Sequence, residues 1–132
     1  MKLWFPIKYE REIFKLSDGG QIALDWAIDL EGGVPLKNSK RPILTCVAGL
    51  SGGSDNGYLY SMMKLAMSNG FKCVVINYRG SCGLKLTSSK IYGSASWMDY
   101  KEPVDYIYNK FCSGKDGCTK RNIYGYGVSL GA

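Results

Sequence analysis

A chain of 132 residues, with 45% hydrophobic and 21% charged side chains, has the composition of one soluble globular domain. It holds no apolar run long enough to span a membrane, and Met1-Lys2-Leu3-Trp4-Phe5-Pro6 is too short and interrupted for a signal peptide. The formal charge of +6 comes from 17 basic and 11 acidic residues scattered along the chain, which argues against a nucleic-acid face and favours a mild attraction to anionic membrane surfaces.

In chain order, residues 9–16 and 21–28 flank Ser17-Asp18-Gly19-Gly20, whose glycines supply the positive φ of a tight hairpin connection. The second of these strands alternates, with Ile22, Leu24, Trp26 and Ile28 on one face and Ala23, Asp25, Ala27 and Asp29 on the other. An antiparallel hairpin at the edge of a sheet is expected. Residues 31–41 lack periodicity and read as a surface loop. Residues 42–47 are a continuous apolar run of strand length, followed at once by Ala48-Gly49-Leu50-Ser51-Gly52-Gly53-Ser54. A helix is predicted from about Asn56, with Leu59, Met62, Met63 and Ala66 on its buried face and Asn69-Gly70 as its stop. Residues 71–76 form the next buried strand, ending in Asn77-Tyr78-Arg79-Gly80, so this is a β-loop-α-β unit with a parallel crossover.

Residues 81–95 read as an irregular loop. Asp99 has the look of a helix N-cap, with Pro103 tolerable only in the first turn. Val104, Ile107, Tyr108 and Phe111 are the expected buried face of that helix. Residues 112–121 connect it to a last strand, 122–126. Of the five cysteines, Cys46 and Cys73 lie in apolar strands as small hydrophobes, while Cys112 and Cys118 flank a loop and would bridge only in an oxidising compartment. With no CxxC pair and no histidine, no metal site is expected, and a reduced intracellular setting is the simpler reading.

The last strand runs into Gly127-Val128-Ser129-Leu130-Gly131, the pattern of a nucleophile elbow. A serine on a sharp strand-to-helix turn adopts a strained backbone that side chains two residues away would crowd. The turn lifts the hydroxyl over the sheet, and the Leu130 N–H points at a developing oxyanion. A Gly-Ser turn closing a buried strand is the competing reading of the motif alone. The earlier loop has rivals too. A phosphate loop would need a lysine after Gly52 or Gly53, which is absent. A dinucleotide fingerprint starting at Gly125 would need glycine at Leu130. An oxyanion loop remains, with the Leu50 N–H as donor facing the serine, against the plain alternative of a flexible strand-to-helix turn.

Four motifs in order, Asp18-Gly19-Gly20-Gln21-Ile22-Ala23-Leu24-Asp25-Trp26, Ala48 to Ser54, Asn77-Tyr78-Arg79-Gly80 and Gly127 to Gly131, resemble the α/β-hydrolase branch of embryogenesis-associated-like esterases and medium-chain phospholipases. The resemblance runs from about Tyr9 to Ala132. It implies an α/β-hydrolase fold, mostly parallel with an antiparallel N-terminal hairpin, of which residues 1–132 are the N-terminal portion of a single domain truncated after the elbow. It implies hydrolysis of carboxylic esters, acyl lipids included, with Ser129 as nucleophile and the Leu50 and Leu130 N–H groups as oxyanion donors, and no cofactor. Arg79-Gly80 and Asp99 match structural positions. The family usually shows His or Pro where this chain has Ala48. Its acid and histidine lie beyond the equivalent of Ala132, and its members often carry a membrane anchor before the equivalent of Tyr9.

The chain is therefore expected to be the N-terminal half of a serine ester hydrolase, inactive alone. In this fold the elbow strand lies mid-sheet, so a complementing segment or larger assembly is expected to cover the edge of residues 122–126. The alternative is a non-catalytic structural or interaction subunit that keeps the fold.

Overall fold

The computed structural model describes residues 6–49, 52–91 and 96–132, with Leu130 represented by its backbone. Strands β1 (Tyr9–Lys15), β2 (Gln21–Ala27), β3 (Ile43–Val47), β4 (Lys72–Asn77) and β5 (Ile123–Gly127) form one sheet in the order β1-β2-β4-β3-β5. The pair β1–β2 is antiparallel, as is β2–β4, whereas β3 runs parallel to both β4 and β5. The hairpin thus sits at one edge, and the C-terminal ends of β3, β4 and β5 share the other rim. Parallel pairing forces the crossover through helix α1 (Gly57–Ser68) between β3 and β4.

The period-2 alternation of the strands sorts side chains onto two faces. Leu44, Cys46, Cys73 and Val75 pack under α1 with Leu59, Met63 and Ala66. Ile43, Val47, Val74 and Ile76 face the opposite layer, where α2 (Met98–Ile107) and a π-helical turn (Tyr108–Cys112) supply Ile107 and Phe111. Trp26 meets Phe111 edge-on, ring centres 5.5 Å apart, an aromatic geometry favoured beyond simple area burial. Both faces of β2 are buried, Ala23, Asp25 and Ala27 included, because β2 is an interior strand between β1 and β4. All five cysteines are free thiols, and burial pushes the Cys46 and Cys73 thiols up to about 12.

Three expectations about the second helix are corrected. The N-cap is Trp97, not Asp99, which lies in the first turn with its carboxylate held by Arg79. Pro103 stands past the first turn, where it withholds the N–H that the Asp99 carbonyl would accept. Tyr108 is exposed rather than buried. The buried positions Pro103, Ile107 and Phe111 follow a four-residue step, and the π turn from Tyr108 swings that tyrosine outward. The residue 31–41 segment is a loop, closed at its start by an isolated bridge between Asp29 and Gly32.

Candidate active site

Chain direction dictates where the reactive groups gather. Parallel β3, β4 and β5 end on one rim, so the turn after β5, the turn after β3 and residues Tyr78 and Arg79 meet there. Val128 is extended and hydrogen-bonded to β3 through its N–H and the Val47 carbonyl at 3.2 Å. Ser129 then takes φ +52°, a left-handed backbone that costs a non-glycine residue about 1–3 kcal/mol. It opens a 3-10 turn, Ser129–Gly131, closed by Gly131 N–H to the Val128 carbonyl at 2.9 Å. Ser129 is solvent-exposed.

The flanking glycines are required by space rather than by φ. A Cβ on Gly127 would overlap the Gly131 carbonyl, and one on Gly131 would stand 2.6 Å from the carbonyl oxygens of both Val47 and Ala48. A sharp turn pressed against the end of β3 leaves no room for side chains at either position.

Leu50 and Ser51 lie outside the described residues, so the Leu50 donor position is among the expectations that the described structure does not reach. The rest of that loop is tied at both ends. At its start, the Tyr78 hydroxyl donates to the Ala48 carbonyl, and the Gly49 N–H donates to the Tyr58 hydroxyl at 2.9 Å. At its finish, buried Ser54 donates its N–H to the Asn77 amide oxygen (2.9 Å) and its hydroxyl to Asp25 (2.5 Å). Asp25 is also held by the Asn77 amide and by two bonds from the Arg11 guanidinium. Burial pushes the Asp25 carboxyl up, but the hydrogen bonds from Arg11 and Ser54 more than offset it, and the carboxyl stays below its ordinary range. Gly53 allows the close approach, since a Cβ there would overlap the Cys82 sulfur.

The sequence pattern singled out Ser129 and the loop as candidates but gave no tethering role to Tyr58, Tyr78, Asn77 and Asp25. Only the position of Tyr78 and Asn77 in the Asn77-Tyr78-Arg79-Gly80 run, at the end of a buried strand, hinted at them. A cavity of about 340 Å³ lined by Ile7, Tyr9, Arg11, Asp25, Ser54, Asp55 and Tyr60 lies on the α1 side of the sheet, and neither Ser129 nor Gly49 lines it. The rim supplies an exposed hydroxyl on a strained elbow, yet the sequence has no histidine to take its proton.

No family model matches the chain. Mouse phospholipase ABHD3 is 33% identical over 106 residues, 80% of this chain and 26% of that protein. The embryogenesis-associated protein EMB8 of Picea glauca is 33% identical over 135 aligned positions, 98% of this chain and 27% of its own length. Among solved structures, an alpha-beta serine hydrolase homologue from Coxiella burnetii superposes with a TM-score of 0.65 at 14% identity, over 92% of this chain and 52% of that one. The Pyrococcus furiosus esterase Pf2001 gives a TM-score of 0.65 at 15% identity, over 99% of this chain and 45% of that one. The chain has the fold of the α/β hydrolases and is similar in sequence to proteins of that superfamily. Its curated sequence relatives include phospholipases and a medium-chain fatty acid ethyl ester synthase/esterase, and it spans about a quarter of the length of the two curated relatives above. The chain, built on its five-stranded mixed sheet, superposes on about half of each of these two solved structures.

Proposed function

We propose that this chain supplies the nucleophile and part of the oxyanion site of a serine ester hydrolase acting on carboxylic esters or acyl lipids. The observation that carries the reading is the left-handed Ser129 on a turn whose two glycines are sterically obligatory. In this reading the Ser129 hydroxyl attacks an acyl carbonyl. The N–H groups of Leu130 and Leu50 stabilise the negative oxygen that forms, each worth on the order of 3 kcal/mol. The proton leaves to a histidine, held by an acid, both supplied by polypeptide other than these residues. Residues 1–132 alone therefore lack a general base and turn over no ester.

The same reading assigns a partner to β5. Among the described residues no strand pairs with its outer edge, and an open edge recruits another strand. Further polypeptide, covalently linked or not, covers it. The names of the relatives favour ester and phospholipid substrates, and the basic balance of +6 favours work at an anionic membrane surface.

The test is turnover of a short p-nitrophenyl ester by the polypeptide that carries this chain. Ser129→Ala should abolish it while leaving far-UV circular dichroism unchanged. Turnover that survives the substitution would place the nucleophile elsewhere, and a protein inactive on every ester would favour the non-catalytic, structural role.

A further inference from the structure

The second residue of α1, Tyr58, is 45% exposed and reaches back over the loop. Its hydroxyl oxygen accepts the Gly49 N–H, so its own proton remains to be donated, and no acceptor for that proton lies among the described residues. A Cβ placed on Gly49 would stand 3.5 Å from the Ser129 Cβ, 3.7 Å from the Tyr58 hydroxyl oxygen and 3.4 Å from the Val128 carbonyl oxygen. The Ser129 side chain and the phenol oxygen therefore both border the space beside Gly49 that an added methyl group would fill. A carbonyl attacked by Ser129 can place its oxygen in that space.

We propose that the Tyr58 hydroxyl is a side-chain oxyanion donor, a catalytic residue beside the backbone donors; this rests on Ser129 being the nucleophile. As the Ser129 oxygen bonds to the carbonyl carbon, the C=O π pair moves onto oxygen. Tyr58 keeps its proton and donates a hydrogen bond to that charge; the serine proton goes to the general base outside these residues. Collapse re-forms C=O and expels the alcohol, which takes its proton from that base. The Gly49 N–H fixes the phenol and polarises its O–H, strengthening it as a donor. Gly52 makes room for this arrangement, because a Cβ there would come within 2.8 Å of the phenol oxygen.

Tyr58→Phe, in the polypeptide that carries this chain, keeps the ring and removes only the hydroxyl. The expected result with p-nitrophenyl butyrate is a kcat lowered about 100-fold with KM within about twofold. Affinity for a trifluoromethyl ketone, whose adduct carries the same oxyanion, should fall in parallel, while a fluorophosphonate still labels Ser129. A folded variant with unchanged kcat and ketone affinity would overturn the proposal and leave the Ser129 reading intact. Absence of labelling at Ser129 in the parent protein would remove that reading and this donor with it. Should Tyr58→Phe fail to fold, a difluorotyrosine at position 58 keeps the hydroxyl but ionises at lower pH. Its kcat should then fall on the alkaline side where the parent's does not, and an unshifted profile would overturn the donor role.

Discussion

At the residue scale, Ser129 holds strain where its neighbours do not. A left-handed φ of +52° is tolerated by glycine at little cost, so Ser129→Gly should stabilise the fold by about 1 kcal/mol relative to Ser129→Ala. Paired urea unfolding curves of the two variants measure the difference. Equal stability would mean that the elbow stores nothing. Gly49 offers a complementary substitution. Its backbone is not left-handed and the nearest atoms to an added methyl are at ordinary contact distances, so Gly49→Ala should fold normally yet fill the space that Ser129 and Tyr58 border. Ester turnover should drop at least about tenfold, with the melting temperature little changed. The elbow pattern was legible because the spacing of its glycines around the serine is local and Gly127 presses on Gly131 itself. The contact of Gly131 with the Val47 and Ala48 carbonyls is not written nearby in the chain. Tyr58 was not legible, since a tyrosine at the start of an amphipathic helix gives no sign that its hydroxyl reaches Gly49, nine residues upstream.

At the element scale, two side chains hold the second layer onto the sheet. Phe111 is fully buried against Trp26, and Phe111→Ala should cost about 3–5 kcal/mol, measured by denaturant unfolding. Arg79 fastens α2 by two bonds to Asp99 and also donates to Asp18 in the hairpin turn and Ser88 in the following loop. The ion pairs with Asp99 and Asp18 raise its guanidinium above the ordinary range. Removing one partner of a buried pair strands the other, so Arg79→Met should cost about 3–5 kcal/mol and loosen hairpin and helix together. The strand boundaries were readable from apolar runs bounded by glycine, proline and asparagine. The helix start was misread because Asp99 resembles a cap in local sequence, while its partner lies 20 residues earlier. The buried face was misread at Tyr108 because nothing local signals the widening of the helix at that residue.

At the scale of the whole molecule, acid stability and the open edge of β5 follow from the same architecture. Asp25 joins β1, β2, β4 and the loop after β3, and its carboxyl lies below the ordinary 3.8 in the fold. A depressed folded value means that its contribution is present above the unfolded value and is lost as pH falls through the folded one. Arg11→Met removes a principal opposing contact, so acid unfolding should begin at higher pH than in the parent, as read by fluorescence between pH 5 and about 2. The edge makes a finer prediction. Val128 N–H and the Asn122 carbonyl bond to β3, so the period-2 alternation turns the amides of Tyr124 and Tyr126 inward and those of Ile123 and Gly125 outward. In isolated 1–132, the amides of Ile123 and Gly125 should exchange fast, and in a longer polypeptide they should become protected. Protection of both in a soluble monomer of 1–132 would show that the edge needs no cover.

The central claim is that Ser129 is the nucleophile. Its most direct measurement is mass spectrometry of the carrying polypeptide after reaction with a fluorophosphonate, followed by peptide mapping. The account predicts one adduct, on the peptide containing Gly127 to Gly131, that disappears in Ser129→Ala. An adduct on any other serine, or one that persists in the substituted protein, would contradict it.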